Sequence, residues 1–427
     1  MMFFCLAPAA YGGKGVFTPA IGIGAEYSDN IYLTHDDKVS DTVLYASPQV
    51  TWDLSGERNS LILFFSPTFR NYVKGSEENV THYNASLSSA IPVSKDTVFE
   101  LTDTFLLSDD PVEDLEDRSI RKTRAIYHRN TTQMGVKSQF GPFESTYVQC
   151  AYSVLRNDDP SVQDSDEFTP SAGLTLRFLS QWLLSIDGSY TLGEFFSLPD
   201  EERSSGTEDF DEIKTSVKLS RRMTDYIDFF ARYSQSFMRY KGLMEDYDVM
   251  EPALGISVKM DEAPLFSIQV GYYLMKRYGA EDEGGLTVSG DLGRSFRFKK
   301  GSFRLSGSSG YDESYFGAEN LGFSIYHQGS ADIAYALTQK VTYELNTQVR
   351  SDRYKNLGYK RIDTKCQVAT GVRYSLREWV SIRLSYEYTN VDVNAAHIRN
   401  QETDWDYEEN RLVLEAFFSP AAPDEED

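Results

Sequence analysis

The stretch WVSIRLSYEYTNV (379–391) alternates in polarity almost without interruption. In an extended chain Val380, Ile382, Leu384, Tyr386 and Tyr388 point one way, and Ser381, Arg383, Ser385, Glu387 and Thr389 the other. This is the period-two signature of a strand with one apolar and one polar face. The pattern recurs along the chain in segments of about 10 to 16 residues, enough for a tilted transmembrane strand. Leu184, Ile186, Tyr190 and Leu192 share a face within 182–196, as do Phe266, Ile268, Val270, Tyr272 and Leu274 within 265–278. Within 341–354, Val341, Tyr343, Leu345 and Val349 stand against Glu344, Asn346, Gln348 and Arg350. What covers the apolar faces, protein or lipid, is the question the rest of the sequence must answer.

The connections point to lipid. Tight ones fall at 55–59, 94–96, 141–143, 180–181, 222–225, 261–264, 299–301, 338–340 and 377–378. Longer, often acidic ones fall at 28–42, 74–81, 108–122, 157–166, 197–209, 241–247, 279–284, 317–322, 355–360 and 393–405. Short and long take turns, as in an up-and-down outer-membrane barrel with short periplasmic turns and longer external loops. Nine turns and ten loops give twenty strands, or eighteen if doubtful segments are merged. The expected fold is therefore all-β: a single transmembrane antiparallel up-and-down β-barrel of about 18–20 strands spanning 17–418. An even strand number puts both termini on the periplasmic side. A soluble sandwich fits less well, because its strands are typically about five or six residues long.

Composition agrees. Hydrophobic residues are 41 % of the chain, yet aromatics reach 14 %, chiefly 28 Tyr and 26 Phe. A membrane barrel needs only one apolar face per strand, and rings both rims with aromatics. No run of 18 apolar residues beyond the amino-terminal stretch calls for a membrane helix. That stretch, MMFFCLAPAAYGG (1–13), reads as the remnant of a secretory signal, with Ala7-Pro8-Ala9 as the cleavage site. Residues 419–427 read as an acidic periplasmic tail. The strand before it, NRLVLEAFF (410–418), puts Leu412, Leu414, Ala416 and Phe418 on one face and looks like the terminal signal read by barrel-assembly machinery.

The formal net charge of −23 argues against a basic nucleic-acid groove as the main business of the chain. The acid gathers at 108–117, 157–167, 199–212, 280–283 and the carboxy terminus, which read as solvated external loops, and their spacing matches no Ca²⁺ loop. Cys150 and Cys366 sit at apolar-face positions, and Cys5 lies in the leader. His35, His82, His128, His327 and His397 each stand alone, and no H-E-x-x-H, G-x-S-x-G, P-loop or dinucleotide fingerprint occurs. Acidic pairs such as Asp109–Asp110 read as solvated. No enzyme, metal or cofactor is expected.

The polar faces give a mixed, slightly basic interior. Its expected pore-lining members are Lys214, Lys218, Arg232, Lys259, Arg304, Arg350, Arg373 and Arg383, with Asp187, Asp228, Asp291, Glu344 and Glu387. Lys365, Glu26 and Asp53 fall on the same faces. Either water fills the interior or these charges satisfy one another across it. Eighteen or more strands enclose room for an aqueous channel.

FTPAIGIGAEYSDNIYLT (17–34), LFFSPTFRNYV (63–73) with THYNASLSSA (81–90), and DTFLLSDDP (103–111) resemble the opening hairpins of the outer-membrane β-barrel porins of the barrel porin 2 type. The likeness is best over the first third of the chain. The resemblance implies a single-chain, monomeric barrel in the bacterial outer membrane, encoded with exopolysaccharide export functions. It further implies a periplasmic polysaccharide export protein as partner and a glycan as cargo. No family binding residue carries over to a position here. Three functions follow: a passage for exopolysaccharide, a general diffusion porin with loop 108–122 as its constrictor, or a structural or adhesive barrel. Tyr45 and Tyr273 fall on inward faces, where they serve either sugar stacking or packing.

Overall fold

The computed structural model describes residues 15–420, apart from 57–58, 76–78, 111–124, 159–163, 197–208, 243–244, 261–262, 279–280, 292–295, 299, 313–322, 355–360 and 396–405. The expected leader, much of the longest loop and most of the expected acidic tail thus lie outside the described residues. So do the side chains of 259–260, 263–265, 291 and 296–298.

The described elements are all strands. In chain order they are β1 (Val16–Ser28), β2 (Asp41–Asp53), β3 (Ser60–Tyr72), β4 (Val80–Pro92), β5 (Thr97–Ser108), β6 (Tyr127–Gln139) and β7 (Ser145–Asn157). Next come β8 (Asp164–Leu179), β9 (Trp182–Phe196), β10 (Phe210–Arg222), β11 (Ile227–Tyr240), β12 (Tyr247–Met260), β13 (Ala263–Arg277) and β14 (Glu283–Asp291). The chain continues through β15 (Phe296–Phe298), β16 (Gly301–Asp312), β17 (Ser324–Ala336), β18 (Val341–Tyr354), β19 (Arg361–Arg377), β20 (Val380–Ala395) and β21 (Tyr407–Phe418). Each strand pairs antiparallel with its sequence neighbours, and β1 closes on β21 from Ile21↔Phe418 to Ser28↔Arg411. β14 and β15 both pair with β16, so they are two stretches of one wall strand and the barrel has twenty. The register against β16 shifts by two residues from Gly290↔Gly307 to Phe296↔Phe303.

The tight and long connections fall where the alternation placed them, to within a few residues. Val16 and Phe418 both lie at the end of the barrel that carries the tight turns, since Val16 faces Asp53 and Phe418 faces Val380. Prolines mark the gaps in the ladders. Pro48 would face Pro67 across β2 and β3, and neither has an N–H to donate; pairing stops at Ala46↔Phe69 and resumes at Val50↔Phe65. A side-chain bond bridges the gap, Ser47 Oγ to Thr68 Oγ1 at 2.8 Å.

The register answers the question posed by 379–391. Across the closing seam Val372 faces Leu384, Leu384 faces Leu414, Leu414 faces Ala25, and Ala25 faces Leu44. This row is apolar throughout, and Leu384 and Leu414 are 50 % and 52 % exposed. Rows like it run around the wall, through Ile21, Ile23, Ile186, Tyr190, Ile213, Val217, Val270, Tyr272 and Leu274. So large a continuous apolar belt matches the lipid-facing band of a membrane barrel.

One glycine sets how closely the seam can shut. A Cβ on Gly24 would lie 2.6 Å from the Leu414 carbonyl oxygen and 2.6 Å from the Tyr45 ring. The carbonyl belongs to a paired strand and cannot retreat. Gly24→Val is therefore expected to destabilise closure by about 1–3 kcal/mol, the usual penalty of overpacking. Gly188→Ala, where the nearest heavy atom is 3.8 Å away, should be silent. Denaturant midpoints of the detergent-folded barrels test the pair, and equal midpoints would contradict the seam geometry.

Candidate functional site

Strand parity decides which side chains enter the barrel. With Ile213 and Val217 outward, Glu212, Lys214, Ser216 and Lys218 point inward; with Ile186 and Tyr190 outward, Asp187 and Ser189 do. A cavity of about 640 Å³ lies against this inner wall, and its lining draws on strands from β7 to β17. Three of the expected residues, Asp187, Lys214 and Arg232, meet in it. Most of the remaining lining is hydroxyl or amide, including Ser171, Ser234, Thr287 and Gln269, with Tyr147, Tyr311 and Tyr326 among them.

Within this cavity the carboxylates are engaged. Tyr147 donates its phenol to Asp187 at 3.0 Å. Ser234 and Thr287 both donate to Glu251. Lys214 lies 2.7 Å from Glu212. Lys218 faces Arg232 directly across the β10–β11 pair, and its ammonium sits 4.2 Å over the Phe230 ring.

The other expected lining residues are distributed around the interior. Glu344 bridges Arg373 at 3.1 Å and Arg383 at 3.5 Å. Arg350 grips Asp352 through two nitrogens at 2.7 and 2.6 Å, donates to Gln328 and lies over Tyr326. Arg304 faces Asp332, and Glu387 faces Arg411, in register. Asp228 lies 3.8 Å from Arg222 near the tight-turn end. Lys259 and Asp291 belong to β12 and β14, but their side chains lie outside the described residues. Leu412, Leu414, Ala416 and Phe418 share the outward parity of β21.

Sequence reasoning missed the most deeply buried charges. Arg411 reaches both Glu26, at 3.0 Å, and Asp110, at 3.2 Å, while Arg70 reaches the other oxygen of Glu26 at 3.1 Å. His82 meets Asp109 at 2.5 Å. On the wall formed by β18 and β19, Arg361 and Asp363 form a two-point pair with side chains 1 % and 0 % exposed. Asp109 and Asp110, read as solvated from their acidic neighbourhood, are instead buried, and His82 is not alone. The partners that bury them come from residues as far away as Arg411, 301 positions along the chain. The one local signal was parity, which places Glu409, Arg411 and Val413 opposite the apolar face of β21.

The stem of the longest loop therefore turns inward through Asp109 and Asp110; most of the expected constrictor, 111–122, lies outside the described residues. The inward tyrosines divide. Tyr45 approaches the seam at Gly24, whereas Tyr273 is 2 % exposed and packs against Tyr311 and Phe323, in a cluster with Phe210, Met238 and Tyr247. Tyr273 thus fills the long-loop end of the interior and presents no free face for stacking. At the rim beyond, Tyr278 donates to Asp248, whose carboxylate holds the phenol above its ordinary range. Among the described residues no group of His, Cys, Asp and Glu is placed to hold a metal ion.

Comparison with known proteins agrees with this geometry. The family model described as "Putative beta-barrel porin 2" matches residues 10–165 and 313–417, more than half of the chain. No curated protein matches the sequence. Among solved structures, the siderophore receptor PirA from Acinetobacter baumannii superposes with a TM-score of 0.52 at 8 % identity, covering 96 % of this chain and 81 % of its own. PirA from Pseudomonas aeruginosa gives 0.50 at 10 % identity, covering 94 % and 80 %. OccK2 (OpdF) from P. aeruginosa gives 0.44 at 12 % identity, covering 95 % and 98 %. At these identities the likeness to the PirA receptors shows the barrel fold alone.

Proposed function

This chain belongs to the β-barrel porin 2 family, an outer-membrane barrel of the porin kind, and on that premise we propose that it is the passage through which an exported polysaccharide crosses the outer membrane. The observation that carries the reading is the hydroxyl-, amide- and tyrosine-lined cavity on the inner wall. Such a surface exchanges hydrogen bonds to water for hydrogen bonds to sugar hydroxyls, so a glycan slides along it without a deep energetic trap. The tight-turn end, with both described chain ends, faces the periplasm, where an export protein docks; the long acidic loops face outward. The family points to a channel rather than a catalyst.

A general diffusion porin is the second reading, favoured by the inward stem at Asp109 and Asp110, which suits a size-limiting constriction. The strain lacking this chain separates the two. Under the export reading, surface glycan falls while glycan accumulates in the periplasm. Unchanged surface glycan, together with open-channel currents from the purified barrel in planar bilayers, would leave the diffusion porin standing.

A further inference from the structure

We propose that Arg232 is the anion-binding centre of a subsite for carboxylated saccharides, of the uronic-acid type, on the inner wall of the barrel. The proposal rests on the reading of the barrel as a glycan passage and names the class of glycan. Arg232 lines the cavity half-buried, and among the described residues it has neither an ion pair nor a hydrogen bond. The carboxylates around it are engaged elsewhere: Asp187 by Tyr147, Glu251 by Ser234 and Thr287, and Glu212 by Lys214.

Its cross-strand partner is a second cation. Lys218 stands directly opposite Arg232. Like charges facing each other across a ladder disfavour pairing, so the two cations raise the positive potential at this point of the inner wall. The same row continues through Ala253, which faces Arg232, and Gly271, which faces Ala253. These two residues carry no side chain beyond Cβ, but Ala253 is buried and neither residue lines the cavity. The space a Cβ on Gly271 would take is filled by the Thr287 hydroxyl at 2.7 Å and the Glu251 carboxylate at 2.8 Å, both of which line the cavity. The cavity therefore has an unclaimed planar guanidinium on its lining, together with the hydroxyls of Ser234, Ser236 and Thr287.

That combination selects its ligand. A guanidinium grips a carboxylate through two parallel hydrogen bonds. The serine and threonine hydroxyls suit the sugar ring that carries it. Asp187 and Glu251 line the same cavity, which disfavours a doubly charged phosphate more than a singly charged carboxylate. The cavity volume of about 640 Å³ falls within the roughly 300–1,000 Å³ typical of small-ligand sites.

The test uses the purified full chain in planar bilayers, with trigalacturonate and its neutral counterpart maltotriose added to the tight-turn side. Trigalacturonate is expected to interrupt the current with residence times about tenfold longer than maltotriose, the effect of one charge-assisted contact. Arg232→Gln should remove that difference by shortening the trigalacturonate events, and Arg232→Lys should retain part of it. Ala253→Asp, which places a carboxylate opposite Arg232, should shorten the trigalacturonate events similarly and serves if Arg232→Gln does not fold. Equal residence times for the two sugars in the parent barrel, or a difference that survives both Arg232→Gln and Ala253→Asp, would overturn the subsite. So would acetate or inorganic phosphate displacing trigalacturonate at equal concentration, which would leave a simple anion site. A barrel that conducts without discriminating loses the subsite and keeps the passage. One that carries no current loses both.

Discussion

An Arg411→Met barrel is expected to unfold at a clearly lower denaturant concentration than the parent, by about 3–5 kcal/mol, the usual cost of removing one partner from a buried charge cluster. Arg411 lies 3.2 Å from Asp110, and it shares Glu26 with Arg70. Its loss leaves two buried carboxylates short of positive charge, with no solvent to make up the difference. The same change should raise the single-channel conductance, because Asp110 belongs to the stem of the longest loop and Arg411 ties that stem to the seam. Adding Asp110→Asn to Arg411→Met should recover part of the stability by removing one uncompensated charge, but none of the tether. Denaturant titration of detergent-folded protein and bilayer recordings read the two effects separately. An unchanged midpoint would mean that the cluster is solvated, and an unchanged conductance would mean that the stem does not narrow the passage.

Leu384→Arg should cost about 2–4 kcal/mol, the penalty for a charged side chain on the lipid face near the bilayer midplane. Leu384 lies between Val372 and Leu414 in an outward row that has no polar member from β19 across the seam to β2. An arginine there can reach water only by stretching toward a rim. Gln133→Arg provides the control. Gln133 is exposed but has inward parity, bonding Gln149 across β6 and β7, and the same charge there should shift stability by no more than about 0.5 kcal/mol. Refolding into lipid vesicles at graded urea gives both values. If the two substitutions were equally mild, the outer face would not be meeting hydrocarbon.

Much of the wall was readable from single segments. Period-two alternation names the two faces of each strand without any knowledge of its neighbours, because successive side chains leave an extended backbone on opposite sides. That was enough to set Leu384 outward and Glu344 inward, to separate tight turns from long loops, and to reach twenty strands. It was also enough to bring Asp187, Lys214 and Arg232 to the inner wall, where the structure gathers them in one cavity. The split of one wall strand into β14 and β15 was not legible, since it depends on how β16 pairs.

Parity states a side and says nothing of what stands across from it. Tyr273 was correctly turned inward, yet its use was decided by Phe323 and Tyr311, which arrive from another hairpin and cover it. Asp109 and Asp110 looked like solvent-facing acids because their sequence neighbours are acidic, but His82 meets Asp109 from the neighbouring strand β4, and Arg411 meets Asp110 only once the barrel has closed. By itself, then, the sequence determined a strand number of about 18–20, the lipid face and the side of the wall to which each strand residue turns, all local consequences of backbone geometry. Which of the inward charges are buried as pairs, and that Arg232 is left facing a lysine with no carboxylate of its own, was decided by the cross-strand register and by closure of β1 on β21. Pairs such as Arg361–Asp363 are local to one strand, whereas Arg411 meets Glu26 and Asp110 only because register and closure bring residues remote in the chain together.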